Sequence, residues 1–339
     1  MPRYIVCGAG AIGSILGAQL YRTGHDVCLI GRAAHARAIQ RGGLQLVTPT
    51  QRRSIKINAV DRVDRLKARP ADCLLVTAKS QDTETVTTQL ARCYGASTPV
   101  FSFQNAVANE GLLSRHFQRV YGALVEFSGN FLTPGVVEWT RNNYVALGRF
   151  PDGFDETVEE VSCHLESAGF LVERTHRIMA MKWWKLVLNT NNALLAVLGY
   201  WLQKGWNDPQ VSSLTADLFD EDLRVLRAAG IPLQAPSGQP DIETMIEQLR
   251  QGSFGLGPEL SPRARTYPST WQDLHLQRRR TEVDYLNGEI ERLGTRFGLP
   301  TPLNSLLLEL TKRMAENGEK PGKYTPHQLR AMISQDQGQ

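Results

Sequence analysis

A polar stripe follows one face of an otherwise greasy segment, MKWWKLVLNTNNALLAVLGYW, at residues 181–201. If this segment is helical, successive side chains turn by about 100°. Lys182, Lys185, Asn189 and Asn192 then share a face, because they are three or four residues apart. Such a face is costly to bury unless its groups are hydrogen-bonded or line a wet cleft. A lysine in a cleft can donate a proton or bind an anion, and asparagines can hold a carboxylate or a hydroxyl. The alternative is that the lysines extend to solvent and the asparagines pack internally.

A carboxylate in the last third of the chain is a candidate partner for this stripe. The segment STWQDLHLQRRRTEVDYLNGEIERL predicts one apolar helix face with Glu282 at its flank, made of Val283, Leu286, Ile290 and Leu293. A carboxylate at the edge of a buried face could approach the lysines. Taken alone, however, Glu282 is more typical of a surface ion pair.

A glycine-rich turn near the start of the chain has the spacing of a phosphate-binding loop. In IVCGAGAIGSILG, Gly8, Gly10 and Gly13 follow a short apolar run, and Ala11 and Ile12 open a helical pattern. The first glycine permits a tight turn, the second lets backbone amides approach a pyrophosphate, and the third lets helix and strand pack closely. The pattern alone is weak evidence, but here its strand–turn–helix context predicts a dinucleotide site.

The end of the second predicted strand indicates which dinucleotide is bound. Sites for NAD place an Asp or Glu there to bind the ribose 2′-hydroxyl. In this chain the strand runs into CLIGRAAHAR, which has no carboxylate. Arg32 stands where it can meet a 2′-phosphate, with Arg37 as a second candidate, and arginine matches phosphate by forked hydrogen bonds. We therefore expect NADPH or NADP as the cofactor, unless Arg32 is simply a solvated loop residue.

The elements around these residues predict two domains. Strand-like runs at residues 3–7, 72–78 and 99–103 alternate with helical patterns, which is typical of a doubly wound parallel sheet. From about residue 177 long helical patterns dominate, interrupted by a loop-rich stretch at 252–270. We predict an α/β, Rossmann-type domain at residues 1–177 and an all-helical domain at residues 178–332.

Composition favours a cytoplasmic enzyme and argues against several other classes. The 339 residues carry a net charge of +4 without a long basic stripe, so we expect no nucleic-acid partner. No uninterrupted apolar run reaches the roughly 18 residues of a membrane span, and the first residues enter a strand without a signal peptide. The five cysteines are scattered, and we expect reduced thiols and no metal site.

Five segments together resemble the ketopantoate (2-dehydropantoate) 2-reductase family over nearly the whole chain. They are IVCGAGAIGS, VTAKSQDT around Lys79, FSFQNAVANE around Asn105, WKLVLNTNNAL around Lys185, and PSTWQD with RRTEVDYLNGEI near the end. Each is modest alone, but their order is specific. The resemblance implies a Rossmann domain followed by a helical domain, with NADPH as the cofactor and a 2-keto acid as the substrate.

The resemblance also implies roles for individual residues. Lys185 matches the catalytic lysine that protonates the substrate oxygen, and Glu282 matches its acidic partner. Asn189 and Ser269 match substrate-binding positions, and Lys79 and Asn105 match residues near the cofactor and the reacting carbonyl. A desolvated lysine near a carboxylate can supply both positive charge and a proton to the developing alkoxide. The implied activity is NADP-dependent oxidation and reduction at a CH–OH group, converting ketopantoate to pantoate for pantothenate and coenzyme A synthesis.

Some positions depart from the family pattern and put the substrate in doubt. Ala106 stands where the family often has glycine, so we expect the loop over the nicotinamide to differ. Many members carry a second asparagine eight residues after the lysine; here that position is Ala193, and Asn192, one residue earlier, is the candidate for substrate binding. The 252–270 stretch could reshape the substrate mouth.

Other functions therefore stay open. A related enzyme would use NADPH to reduce a different 2-keto acid or an opine-type imine. A non-catalytic NADP(H) sensor would bind the cofactor without turnover, but it would not need both Lys185 and Glu282. An interaction protein would have to rely on the basic run at residues 278–280. A homodimer is one assembly that the sequence leaves open.

Overall fold

The computed structural model describes residues 2–254 and 265–336, and within them the chain forms two compact units. The first unit extends to Lys182 and the second begins at Trp183. The expected loop-rich stretch at 252–270 lies partly outside the described residues, since 255–264 are not among them.

The first unit alternates strands and helices along the chain. Its elements are β1 (Arg3–Cys7), α1 (Ala11–Arg22), β2 (Asp26–Ile30), α2 (Ala33–Gly42), β3 (Leu44–Val47), β4 (Arg52–Ile55), β5 (Asn58–Val60), β6 (Asp72–Val76), α3 (Thr83–Ala91), β7 (Val100–Ser102), α4 (Asn109–Ser114), β8 (Val120–Val125), β9 (Ser128–Thr133), β10 (Val136–Arg141), β11 (Tyr144–Arg149), α5 (Glu156–Ser167) and β12 (Leu171–Arg174). Short 3₁₀ turns occur at Val63–Arg65 and Ser80–Asp82.

The main sheet has eight strands among the described residues, in the order β12-β11-β8-β7-β6-β1-β2-β5. The six strands from β5 to β8 are parallel, and β11 pairs antiparallel with β8. The chain runs from β1 outward through β2 and β5, then returns to β6 on the other side. The strand order therefore reverses between β1 and β6, which is where doubly wound sheets bind their ligands.

A second, four-stranded sheet has the order β4-β3-β10-β9. It joins the hairpin β3–β4 to the hairpin β9–β10 through parallel pairing of β3 with β10. The sequence predicts strands and turns throughout 119–149, but gives no signal for this pairing, because the two hairpins are far apart along the chain.

Local sequence accounts for the elements that frame the main sheet. All five residues of β1 and of β6 are buried, as expected for central parallel strands covered on both faces. Asp155 caps α5, since its carboxylate accepts from the backbone N–H groups of Thr157 and Val158. Every residue of helix α1 from Gly13 to Leu20 is buried.

The second unit contains helices and no strand within its described residues. The helix α6 (Ile178–Leu198) leads into it from the first unit, and the others are α7 (Leu202–Asn207), α8 (Pro209–Ala228), α9 (Ile242–Arg250), α10 (Ser269–His275), α11 (Asn287–Phe297), α12 (Pro302–Glu316) and α13 (Pro326–Asp336). A core of Leu, Val, Met and Ala side chains from α6, α8, α10 and α12 holds the unit together. The prediction of an α/β Rossmann-type region followed by a helical region is confirmed.

The prediction of one helix face from Val283 to Leu293 is wrong. Val283 lies in a 3₁₀ turn at Val283–Tyr285, and Leu286 precedes the first turn of α11. The helix is interrupted at Leu286, whose backbone is not helical (φ −113°, ψ −91°). Next to it, the Asn287 side-chain amide donates to the Thr190 carbonyl (3.1 Å) and to Asn304 Oδ1 (3.0 Å). Val283, Leu286 and Ile290 are buried all the same, so the apolar spacing survives without a continuous helix.

Candidate active site

The glycine loop lies at the carboxyl end of β1, and two of its glycines are required by close contacts. Gly8 has φ +116°, and a Cβ there would lie 2.5 Å from the Ala78 backbone nitrogen. A Cβ on Gly13 would lie 2.5 Å from the Gly8 carbonyl oxygen and would also strike the Thr77 hydroxyl. Gly10 is different, since it is exposed and a Cβ there would meet nothing closer than the Gly8 carbonyl oxygen at 3.9 Å. The first and third glycines thus close the turn, and the second leaves room for a ligand.

Helix α1 begins directly after Gly10, so its free N–H groups point into this room. Ala11 and Ile12 form the first turn and are half-buried. No acidic residue stands in that turn. The positive end of the helix dipole is therefore available to an anion such as a pyrophosphate.

Arg32 lies at the end of β2, where it precedes the first turn of α2 and is exposed. Its helix is fixed by His35, which is buried. His35 Nδ1 accepts from the Gly135 backbone N–H (2.8 Å), and Nε2 lies 3.2 Å from the Ser14 hydroxyl. Because Nδ1 accepts, the proton is on Nε2 and the ring is neutral, and burial lowers the pKa of His35. Arg37 is also exposed on α2.

Lys79 and Asn105 lie in adjacent loops at the carboxyl ends of β6 and β7. Gln104 joins the loops, since its side-chain amide donates to the Ala78 carbonyl and to the Thr83 hydroxyl, both at 2.8 Å. Asn109 donates to the Asn105 carbonyl at 2.6 Å. Parallel register brings the ends of β1, β2, β6 and β7 to one edge of the sheet. The edge therefore collects the glycine loop, Arg32, Lys79 and Asn105.

Ala106 adopts φ +65°, the left-handed region that glycine enters most readily. The sequence predicts that the shape of this loop differs from the family pattern, because Ala106 stands where the family often has glycine. The structure keeps a glycine-like backbone at Ala106 and buries its methyl group. An L-residue in this region costs roughly 1–2 kcal/mol, which the surrounding hydrogen bonds have to offset.

Lys182 does not extend to solvent. Its side chain is buried, and the ammonium forms an ion pair with Glu110 and donates to the Gln104 carbonyl at 3.0 Å. Glu110 was not singled out from the sequence. The sequence gives only a faint signal for Glu110, because it is a single carboxylate in the short helix α4, 72 residues before its partner.

The rest of the polar stripe lies in the second unit. Lys185 is half-buried, Asn189 is buried, and Asn192 donates to Asn189 Oδ1 at 3.3 Å. The Asn189 amide nitrogen is buried and has no hydrogen-bond partner in the part of the chain that the structure describes. Asn191 is not part of the stripe and accepts from the Thr215 hydroxyl of α8 (3.1 Å). Asn191 thus packs within the helical unit, whereas Asn189 and Asn192 share a face of α6 with Lys185.

Glu282 is buried, with 8% of its surface exposed, so it is not a surface ion-pair residue. Asn287, five residues further along, bonds to the Thr190 carbonyl and so holds the segment after Glu282 against the middle of α6. Ser269 is half-buried and is the first residue of α10. Within the helical unit, the hydrogen bond of Asn287 therefore holds the chain segment that follows Glu282 next to α6.

A buried acidic pair on α8, Glu221 and Asp222, is hydrogen-bonded to α6 through Asp222 and was not predicted from the sequence. Asp222 accepts from the Thr190 hydroxyl (2.8 Å) and from the Asn304 amide (2.7 Å). Glu221 accepts the backbone N–H groups of Leu303 and Asn304 at the start of α12. Burial raises the pKa of Asp222 well above its ordinary value. The available signal was an acidic pair on the apolar face of α8.

Two negative features apply to the described residues. Within 2–254 and 265–336, no cluster of three or more His, Cys, Asp or Glu side chains is arranged to hold a metal ion. No described helix is both long enough and apolar enough to cross a membrane.

The fold and these loops define a class. A doubly wound sheet with a glycine loop at its switch point, followed by helices carrying a lysine and asparagine face, is the architecture of a dinucleotide-dependent oxidoreductase. Residues 4–152 match the family described as Ketopantoate reductase PanE/ApbA, and residues 177–315 match its C-terminal counterpart. The chain belongs to the ketopantoate reductase family and is an enzyme of the oxidoreductase class.

Named relatives agree with this membership. The chain is 32% identical to a 2-dehydropantoate 2-reductase of Pyrococcus horikoshii over 92% of its own length and 97% of the relative's. It is 27% identical to the 2-dehydropantoate 2-reductase of Archaeoglobus fulgidus over 92% of this chain and 97% of that protein.

Solved structures show the same fold. A PanE/ApbA family ketopantoate reductase from Ralstonia eutropha JMP134 is 28% identical, with a TM-score of 0.79 over 93% of this chain and 99% of that one. A D-mandelate dehydrogenase solved with NADH and anilino(oxo)acetate has a TM-score of 0.80 at 23% identity, over 93% of this chain and 99% of its own. At that identity the second likeness concerns the fold alone.

Proposed function

We propose that this enzyme reduces 2-dehydropantoate to pantoate with NADPH, in pantothenate and coenzyme A synthesis. The observation that carries the proposal is the relationship, along more than nine-tenths of the chain, to proteins named 2-dehydropantoate 2-reductase. The side chains of both units support it, because those of the first unit suit the cofactor and those of the second suit the keto acid.

The carboxyl edge of the main sheet fits a dinucleotide. The room at Gly10 and the free N–H groups of α1 suit a pyrophosphate. Arg32, exposed at the end of β2, would bind the 2′-phosphate that distinguishes NADPH from NADH. Lys79 and Asn105 would lie near the nicotinamide end, since their loops follow the neighbouring strands β6 and β7.

The stripe on α6 fits a keto acid and its reduction. When bound, the reduced nicotinamide supplies the hydride that adds to the ketone carbon. Lys185 donates a proton from Nζ to the oxygen that becomes negative, and Glu282 supplies the charge that balances the ammonium. Asn189 has a buried amide nitrogen to offer the substrate. Asn192 and Ser269 would complete the grip on its carboxylate and hydroxyl groups.

A second candidate is a reductase of a bulkier 2-keto acid. Aromatic rings lie on both sides of Ser269 in the chain: Tyr267 and Trp271 stack with ring centroids 3.9 Å apart, and Trp271 stacks on His275 at 4.7 Å. Tyr267 and Trp271 are half-buried, so part of this ladder is exposed to a ligand. Aromatic faces bind flat apolar groups well.

A panel of substrates tests the proposal. NADPH oxidation is followed at the absorbance of the reduced nicotinamide, with ketopantoate, unbranched 2-keto acids and aromatic 2-keto acids in parallel. Saturable turnover that is highest for ketopantoate supports pantoate formation. Higher kcat/KM for an aromatic keto acid moves the substrate to the second candidate, and absence of turnover with every keto acid contradicts both.

A further inference from the structure

The ion pair of Lys182 with Glu110 lies beside the loop that carries Asn105. Lys182 is in the first turns of α6 with 4% of its surface exposed, and Glu110 is fully buried in α4. The ammonium has a second contact, the Gln104 carbonyl at 3.0 Å. One lysine thus fixes the backbone immediately before Asn105.

The same loop is held from its other side. Asn109 donates to the Asn105 carbonyl (2.6 Å) and to the Ser80 hydroxyl (3.2 Å), and its own side-chain oxygen accepts from Thr83 (2.7 Å). Directly after these two held carbonyls, of Gln104 and Asn105, Ala106 takes the left-handed backbone. A loop with a strained residue keeps one shape only when its neighbours over-determine it. Of the side chains of Lys182 and Asn109, which donate hydrogen bonds to this loop, that of Lys182 carries a charge.

Stability alone is a poor explanation for this pair. A buried ion pair is often no more stabilising than apolar side chains of the same volume, because both charges lose their hydration. Glu110 Oε2 is buried and lacks a hydrogen-bond partner among the described residues, so the pair is not fully compensated. A lysine in this place gives what an apolar residue cannot, a donor directed at the Gln104 carbonyl.

We propose that Lys182, held by Glu110, is a positioning residue for reduction. It acts through the Gln104 carbonyl to set the place of the Asn105 side chain. The inference rests on the proposed keto acid reduction, in which Asn105 lies near the reacting carbonyl. Lys182 itself touches neither the substrate nor the cofactor.

The test removes the clamp without leaving a charge buried alone. Lys182→Met leaves Glu110 unpaired and is expected to lower stability, so the decisive variant is Lys182→Met/Glu110→Leu, in which both partners are apolar. We expect kcat for the best keto acid to fall roughly 10- to 100-fold, as for a misplaced reacting group, while the Kd for NADPH stays within about threefold. The glycine loop and Arg32 are untouched in this variant.

A matched control exists in the same unit. Arg3 and Asp72 form another buried ion pair (2.7 Å), at the opposite end of β1 and β6. Arg3→Met/Asp72→Leu is expected to change the thermal midpoint but not kcat. A folded Lys182→Met/Glu110→Leu enzyme with the kcat of wild type overturns the proposal. So does a loss of NADPH affinity as large as the loss of kcat, because that result indicates general disorder of the unit.

Hydrogen exchange separates this inference from the proposed function. If wild type reduces no 2-keto acid, the proposed function fails, and the clamp is judged by amide exchange in peptides covering 102–113. Exchange there at least about tenfold faster in the Lys182 double variant than in the Arg3 double variant supports the clamp. Equal exchange in the two variants overturns it.

Discussion

The two ends of the parallel sheet are both rich in polar side chains, but they use them differently. At the amino end, side chains mainly pair with one another, Arg3 with Asp72 and Tyr4 with His164 (2.6 Å), although Arg3 also donates to the Lys67 carbonyl (2.8 Å). At the carboxyl end, side chains bind loop backbone, as Gln104 does at Ala78 and Asn109 does at Asn105. The first arrangement closes the edge of a core, whereas the second fixes the shape of the loops at the proposed cofactor site.

This difference predicts that mutations at the carboxyl end change activity and those at the amino end change stability. The largest effect is expected at Gly8. Gly8→Ala places a methyl group against the Ala78 backbone in a φ region that disfavours L-residues. We expect NADPH affinity to fall by at least about 100-fold, because the loop must move away from the helix that we propose binds the pyrophosphate. Titration by cofactor fluorescence measures it.

Gly24→Ala is the control for Gly8→Ala. Gly24 also has positive φ (+94°), but nothing lies within 4 Å of its missing side chain, and it precedes β2 at the amino end. The variant should lose roughly 1–2 kcal/mol of stability and bind NADPH normally. Equal NADPH affinities for the two alanine variants would remove the distinction between the two ends.

Arg3→Met tests the amino end. The change leaves Asp72, which is 1% exposed, without its guanidinium partner. We expect the free energy of unfolding to fall by about 3–5 kcal/mol, as for other buried pairs that lose one member. Urea denaturation measures the loss. The kcat of the remaining folded enzyme should match wild type, and a lower kcat at saturating substrate would mean that the amino end shapes the site.

Arg32→Ala is expected to have a smaller and selective effect. Loss of a charge-assisted hydrogen bond of about 1.5–3 kcal/mol raises the KM for NADPH by roughly 10- to 100-fold and leaves the KM for NADH nearly unchanged. Arg41→Ala, at the far end of the same helix α2, is the control. An unchanged ratio of NADPH to NADH efficiency would show that Arg32 does not bind the 2′-phosphate.

The smallest effect is the pH dependence of the amino end. The rings of His25 and His164 are in contact at a tilt of 53°, with centroids 4.2 Å apart, and burial lowers the pKa of both, against the opposing effect of Glu160. Below the ordinary histidine pKa of about 6.5, the unfolded chain therefore binds more protons than the folded one. Stability falls as the pH drops from about 7 through 6 towards the lowered values.

Urea midpoints at pH 7.5 and pH 5.5 test the histidine pair. In His164→Gln the difference between the two midpoints should shrink, because one of the two titrating rings is gone. A midpoint difference as large as that of wild type would assign the pH dependence to other groups.

The sequence predicts most of the framework, because the framework depends on local patterns. The helix considered for the segment at residues 181–201 is present as α6 (Ile178–Leu198), and strands predicted at 3–7, 72–78 and 99–103 are confirmed within two residues of their ends. The stripe on α6 follows from helical spacing alone. The glycines follow from a motif whose physical causes lie within a few residues of one another.

What the sequence misses depends on partners far apart in the chain. In the sequence, Lys182 is one more member of the stripe, and only the folded structure identifies Glu110 as its counterion. Next to the break before α11, the Asn287 amide is hydrogen-bonded to Thr190 and Asn304. Asp222 is likewise explained by Thr190 and Asn304. Such contacts leave no periodic signal.

The most direct test of the central claim is steady-state turnover and NADPH binding in Lys185→Ala, measured beside wild type and Lys312→Ala. Lys312 is an exposed lysine of the same unit, paired with Asp284, and its loss should leave turnover intact. If Lys185 protonates the substrate oxygen, Lys185→Ala lowers kcat by at least about 100-fold while the Kd for NADPH stays near that of wild type. A Lys185→Ala enzyme that turns over ketopantoate at nearly the wild-type rate would contradict the account.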